Sequence, residues 1–424
     1  MEQKHTPKAY HLWPASKLVR VKVSPYSRWT DAEWYFNNPT AGQKKSRSVI
    51  TWDFEMLDGS TFTHDQWVPL LNACRRLAWS LIVDPQCGRP LKVGSISSLS
   101  TTIRYFVRWM GRAGYANFGD LNEMTCQEFQ EYVVADIVTE DTDDKGLSAG
   151  SISMYFSIWI KIYSQGSLLE AAGIRRMPRV PFGGKSAGEV AKEITETIAK
   201  RIPPMPDAVF LPVTQKAIEW LSVPADDILR LQDVYLSAHE RGRRGLPYGP
   251  GNSPSSKAIA GRQAVQAFQF SAFPGSSEPW HQPLHIRTAT PVRSGKYSIQ
   301  RGAIQQLRDL VTELRDACSI VLQAFVGIRI SEVCGLKALP IDPTTGMPAC
   351  VEIQPSRSGL YEICYVKGQL FKTTETPITV TWVAGLRPRG ATYFPPPIRA
   401  LLVLEQLFRP WRTLAEVNDL IVSF

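Results

Sequence analysis

No stretch of this 424-residue chain is apolar for long enough to cross a bilayer. The longest such run, around residues 317–328, is cut by Asp316 and Arg329 and falls short of the roughly 20 residues a spanning helix needs. The amino terminus, Met1-Glu2-Gln3-Lys4-His5, has none of the apolar character of a secretion signal. Cysteine is sparse and odd in number: seven, at 74, 87, 126, 318, 334, 350 and 364, with no C-x-x-C pair. That scatter argues against a disulfide scaffold or a zinc ribbon and reads as reduced thiols of a cytosolic protein. No repeat occurs at solenoid periods. Gly183-Gly184-Lys185-Ser186 falls short of a phosphate loop, because the pattern needs glycine at 179, where this chain has arginine.

What is present is size, an apolar fraction and positive charge. The length fits two or three domains, and 44% apolar against 21% charged residues implies substantial cores. Forty-eight Lys and Arg against thirty-nine Asp and Glu leave +9, which favours a polyanionic partner, nucleic acid ahead of an anionic membrane. No strongly basic amphipathic helix supports a membrane-surface reading.

Four regions are expected. Residues 1–90 read as an appended module of a hairpin and a helix: Ile50, Trp52, Phe54 and Met56 alternate up to an Asp58-Gly59 turn, with Phe62 beyond it, and Asp65 is positioned to cap the next helix. Residues 91–170 read as a helical domain. Its stripe at Ile103, Phe106, Val107 and Met110 precedes a capping-box spacing at Thr125–Glu128 and a helix capped by Ser148. Residues 171–202 read as a linker around one helix, and 203–424 as a further domain with an insertion at about 243–300. The run 238–301 holds nine Lys/Arg against two acids. It is either a solvated surface loop or a flexible arm lying along phosphates through Arg241, Arg243 and Arg244. Trp109, Trp159, Trp220 and Trp382 sit in apolar surroundings and are expected in cores.

The most informative stretch begins at residue 304. Ile304, Leu307, Leu310, Val311, Leu314, Cys318, Val321, Leu322 and Phe325 keep helical spacing and lead into Gly327-Ile328-Arg329-Ile330-Ser331-Glu332. A charge at the end of an apolar helix needs a carboxylate partner or an anionic ligand, and Glu332 stands one turn from Arg329. Residues 360–366 and 378–383 then alternate as strands, and the turn between them carries lysine.

In this order of parts the chain resembles the tyrosine recombinase (phage integrase-like) family. The resemblance rests on GIRISEVCGLK at 327–337, similar to the family's first arginine box, and on FKTTETPITV at 371–380, similar to its lysine-bearing hairpin. Residues 94–166 are similar to its helical core-binding domain. The resemblance implies a mainly α fold with a small antiparallel β-sheet (α+β), in which a helical clamp precedes a partial catalytic domain. It also implies breakage and rejoining of DNA through a 3′-phosphotyrosyl link without ATP, metal or cofactor. Arg329 and Lys372 are the catalytic residues so implied, with Glu332 supporting the arginine. The guanidinium would stabilise charge on the phosphate and the lysine would protonate the leaving 5′-oxygen. Lys367 competes with Lys372 and is placed at the strand end as a phosphate or solvent contact. Arg104, Arg108 and Lys161 are candidate phosphate contacts of the clamp. The implied partners are double-stranded DNA and other recombinase protomers, with no membrane and no small-molecule substrate, in a bacterial cytoplasm.

The family's remaining elements are a His-x-x-Arg box, a later His or Trp, and the nucleophilic tyrosine. All six histidines precede Arg329, and the one tyrosine after Lys372 is Tyr393, beside Phe394 and Pro395–Pro397. The expectation is a truncated recombinase, or an inactive DNA-binding protein on the same fold, that does not cleave DNA by itself.

Overall fold

The computed structural model describes residues 9–38, 40–42, 48–135, 148–195, 204–244, 254–284, 288–291, 298–370 and 377–422. The chain divides into two compact units, 1–39 with 43–203, and 40–42 with 204–424. The described residues are mainly helical, with one three-stranded and two two-stranded antiparallel sheets.

The first unit contains α1 (Ala15–Leu18), β1 (Glu33–Tyr35), β2 (Val49–Thr51), α2 (Val68–Val83), α3 (Ile96–Ala113), α4 (Glu123–Val133), α5 (Ala149–Ser164), α6 (Gly166–Ala171) and α7 (Ala187–Ile194). Ile50, Trp52, Phe54, Met56 and Phe62 are all buried, as their alternation requires. The Asp58-Gly59 turn forms, with the Phe62 N–H donating to the Phe54 carbonyl at 2.9 Å and Gly59 at φ +80°. The ladder of β2, however, is made with β1, Trp34 standing opposite Ile50. Asp65 does not cap α2; it opens a 3-10 turn, Asp65–Trp67, that leads into the helix. The cap of α4 lies ahead of the expected Thr125. Asn122 accepts from the N–H groups of Met124 (2.9 Å) and Thr125 (3.3 Å), and the Thr125 hydroxyl accepts from the Asn122 N–H at 2.7 Å. Thr125 is therefore the far member of the box. Ser148 caps α5 as expected, accepting from the Ser151 N–H at 3.4 Å.

One core runs through this whole unit. Trp29, Trp34, Trp52 and Trp79 pack with Phe106, Trp109, Phe129 and Trp159 in a single buried cluster that also takes in Phe182 and Val190. The stretch read as a linker is thus partly core: the Phe182 ring lies 5.5 Å from Phe156 and 5.9 Å from Trp159. Two buried arginines tie the N-terminal segment to α2. Arg75 donates to the Asp31 carbonyl at 2.9 Å and Arg76 to the Trp13 carbonyl at 2.8 Å.

The second unit contains α8 (Asp207–Trp220), α9 (Val223–Arg244), α10 (Pro254–Gln266), β3 (Thr288–Pro291), β4 (Ser298–Arg301), α11 (Ala303–Val326), α12 (Ile330–Cys334), β5 (Val351–Pro355), β6 (Tyr361–Leu370), β7 (Ile378–Pro388) and α13 (Pro396–Ala415). The predicted stripe of α11 is buried at Leu307, Leu310, Leu314, Cys318, Val321 and Leu322, but Phe325 is exposed in the last turn before Gly327 ends the helix. Helix α11 packs against α8 and α13.

The segment read as a loop or flexible arm contains ordered, packed structure. Helix α10 lies on α9, and Val265, Phe270 and Leu284 enter the core. Asp227, fully buried in α9, holds the segment after α10. It accepts from the Ser271 N–H (2.7 Å), the Ser271 hydroxyl (2.9 Å) and the Trp280 indole (2.8 Å), and pairs with Arg230. Burial pushes the Asp227 carboxyl pKa up, yet the Ser271 N–H, the Trp280 indole and Arg230 outweigh it and hold the group below the usual carboxylate range. The Phe270 ring packs 5.2 Å from Trp280. Composition suggests a solvated strand of chain because glycine, proline and serine are frequent here, but the few aromatic residues anchor it.

Candidate functional site

Helix α11 ends at Gly327, whose left-handed backbone (φ +74°) reverses the chain. Ile328 returns to the core, 2% exposed, and Arg329 becomes the N-cap of the five-residue helix α12. Glu332, 2% exposed, accepts twice from Arg329: from its backbone N–H at 2.8 Å and from guanidinium Nη1 at 2.8 Å. The Arg329 side chain is itself 47% exposed. A buried carboxylate thus fixes one edge of a half-exposed guanidinium, and among the described residues Glu332 is its protein acceptor. Such an arrangement presents an oriented fork of N–H donors to an oxyanion, and phosphate geometry suits it.

Around α12, Gly42 sits at φ +73° so close to Cys334 that a Cβ would lie 3.1 Å from the sulfur. A groove of about 770 Å³ runs beside the helix, lined by Arg315, Asp316, Ile320, Ile330, Asp419 and Ile421 among others. Its charges pair with one another or with a neighbour, Arg315 with Asp316 at 2.7 Å and Asp419 with Lys337. Among the described residues, that leaves the groove no free cation for an anion.

The expected hairpin is present and longer than its sequence pattern. Strand β6 pairs antiparallel with β7 from Tyr361–Pro388 to Leu370–Ile378, and β5 adds a third strand on the other side of β6. Lys367 lies inside β6 opposite Thr381, not at a strand end, because pairing continues to Leu370. It is exposed, and its backbone N–H donates to the Cys350 carbonyl at 2.8 Å. Lys372 lies outside the described residues. Tyr393 is 59% exposed, and its carbonyl accepts from Arg387 Nη1 at 3.2 Å. The Arg387 guanidinium also pairs with Glu362 at 2.6 Å and stacks 4.3 Å over the Phe394 ring, a clasp with no local sequence signal.

The candidate phosphate contacts on α3 and α5 differ in availability. Arg104 is exposed. Arg108 is engaged within its unit, donating to the Glu55 carbonyl at 2.8 Å and lying over the Phe54 ring. Lys161 is half-buried and donates to the Ser157 hydroxyl at 2.8 Å, and burial lowers its pKa. Arg241, Arg243 and Arg244 fall in the last residues of α9, and their side chains lie outside the described residues. Among the described residues, no group of three or more His, Cys, Asp or Glu side chains has the arrangement to hold a metal ion. No family model, curated protein or solved structure matches the chain, so the chemistry of the site rests on its own geometry.

Proposed function

We propose that this chain is a DNA-binding protein of the tyrosine recombinase type, in which Arg329 contacts a backbone phosphate of duplex DNA. The observation that carries the reading is the Arg329–Glu332 arrangement, a half-exposed guanidinium held by a buried carboxylate directly beyond a core helix. The bond from the Arg329 N–H to Glu332 is the N3 half of a capping box at the start of α12, whereas the second bond, from guanidinium Nη1, fixes one edge of the fork, from which phosphate recognition gains. The net charge of +9 supports a polyanionic partner. The neighbouring hairpin, with exposed Lys367 in β6 and Lys372 following that strand in sequence, supports the family's order of parts.

In this reading the first unit clamps the duplex through exposed arginines such as Arg104, and recombinase protomers assemble on it. Breakage and rejoining through a phosphotyrosine, as the resemblance implies, would need a His-x-x-Arg box and a following tyrosine that these 424 residues do not supply; Arg329 would there stabilise charge on the phosphate. A second reading is a binding protein without cleavage: within these 424 residues all six histidines precede Arg329, no His-x-x-Arg pattern occurs, and the one tyrosine after Lys372 is Tyr393. The test is incubation of the 424-residue chain with a nicked target duplex. The expected result is a salt-sensitive complex with no covalent adduct on a denaturing gel. A covalent adduct would refute the non-cleaving expectation, and absence of any complex at low salt would refute DNA binding.

A further inference from the structure

Gly368 is the point at which the hairpin meets the arginine box. It stands inside β6 opposite Val380, where glycine weakens a strand and often marks a close approach. A Cβ built on it would lie 2.9 Å from Leu336 Cδ2 and 3.1 Å from Trp382 Cζ3. Leu336, two residues past α12, is fully buried. Its backbone is tied on both sides, the N–H donating to the Val333 carbonyl at 3.2 Å and the carbonyl accepting from the Leu420 N–H at 2.8 Å. The next turn is tied as well, the Ala338 N–H donating to the Asn418 carbonyl at 2.8 Å. Trp382 is fixed in β7 opposite Val366. A methyl group at 368 therefore meets the Leu336 side chain and the Trp382 ring, and overpacking of this kind is relieved by off-rotamer side chains together with backbone shifts, Leu336 being fully buried. The backbone that would move is α12 with its N-cap Arg329, or the hairpin itself.

We infer that Gly368 is a positioning residue: by having no side chain it sets the spacing between the β6–β7 hairpin and the arginine box, and so fixes where Arg329 meets phosphate. This rests on the reading of Arg329 as a phosphate contact. Glu332 orients the guanidinium within its own helix, and Gly368 places that helix against the sheet.

The test is a double-mutant cycle on duplex DNA affinity with Arg329→Gln and Gly368→Ala, each variant checked for folding by thermal melting. Glutamine keeps an amide donor for Glu332. Arg329→Gln alone is expected to weaken binding about tenfold, the scale of one charge-assisted hydrogen bond. Gly368→Ala should weaken it by a similar factor in the otherwise unaltered protein and by less than about twofold in the Arg329→Gln background. Adding Leu336→Ala to Gly368→Ala makes room for the methyl and should restore the Arg329→Gln effect; this pair carries the test if Gly368→Ala alone does not fold. Equal losses from Gly368→Ala in both backgrounds, or a compensated pair that folds yet leaves Arg329→Gln without effect, would overturn the inference while leaving Arg329 a phosphate contact. No effect of Arg329→Gln in the otherwise unaltered protein would overturn the reading beneath it.

Discussion

His11 shows what a single buried side chain does to this molecule. It is 1% exposed, and its Nε2 lies 3.6 Å from the Asp84 carboxylate. Arg76 binds its backbone carbonyl. Burial lowers the imidazole pKa below 6.5; Asp84 opposes the shift and Arg76 adds to it. The unfolded chain therefore takes up a proton that the folded protein resists. His11 favours folding above about pH 6.5, and this contribution is lost as pH falls through the lower folded value. The melting temperature should drop between about pH 7.5 and about pH 5.5 in the unaltered protein, and His11→Gln should remove part of that drop. An identical pH dependence in the variant would contradict this account. The histidine's place could not be read from sequence, because its burial depends on α2 and on Arg76, 65 residues away.

Elements with a strong period are legible in the sequence, and those held by distant polar groups are not. The apolar stripe of α11 and the alternation of the β6–β7 hairpin appear where the sequence puts them, since both periods are set by local geometry. Strand β5 leaves little trace because it has five residues and ends in Pro355. The capping box of α4 is displaced because Asn122 wins the N-cap over Thr125. The largest difference is residues 254–284, whose Gly, Pro and Ser content hides a helix and an aromatic anchor. The contacts of Asp227 with Ser271 and Trp280 span 44 and 53 residues, and no local pattern signals them. Asp227→Ala should leave several buried donors without an acceptor and destabilise the protein by about 3 kcal/mol or more. Limited proteolysis should then cut between 254 and 284 well before the unaltered chain is touched there; unchanged cutting would mean that the carboxylate does not hold the segment.

At the scale of the whole molecule, the basic surplus and the arginine box bear on one question, whether the chain engages a polyanion at a defined point. The candidate site is half legible in the sequence. The pairing of Arg329 with Glu332 follows from their three-residue spacing, whereas the engagement of Arg108 and Lys161 within their own unit depends on packing. Diffuse charge and a specific contact predict different behaviour, because each phosphate contact releases counterions and adds to the salt slope of binding. The most direct measurement is duplex DNA affinity as a function of salt for the 424-residue chain and for Arg329→Gln. The account predicts a steep slope for the unaltered chain, and for Arg329→Gln weaker binding with a slope shallower by about one contact. Equal affinities and slopes would contradict the assignment of Arg329 to phosphate and leave its pair with Glu332 as helix architecture alone.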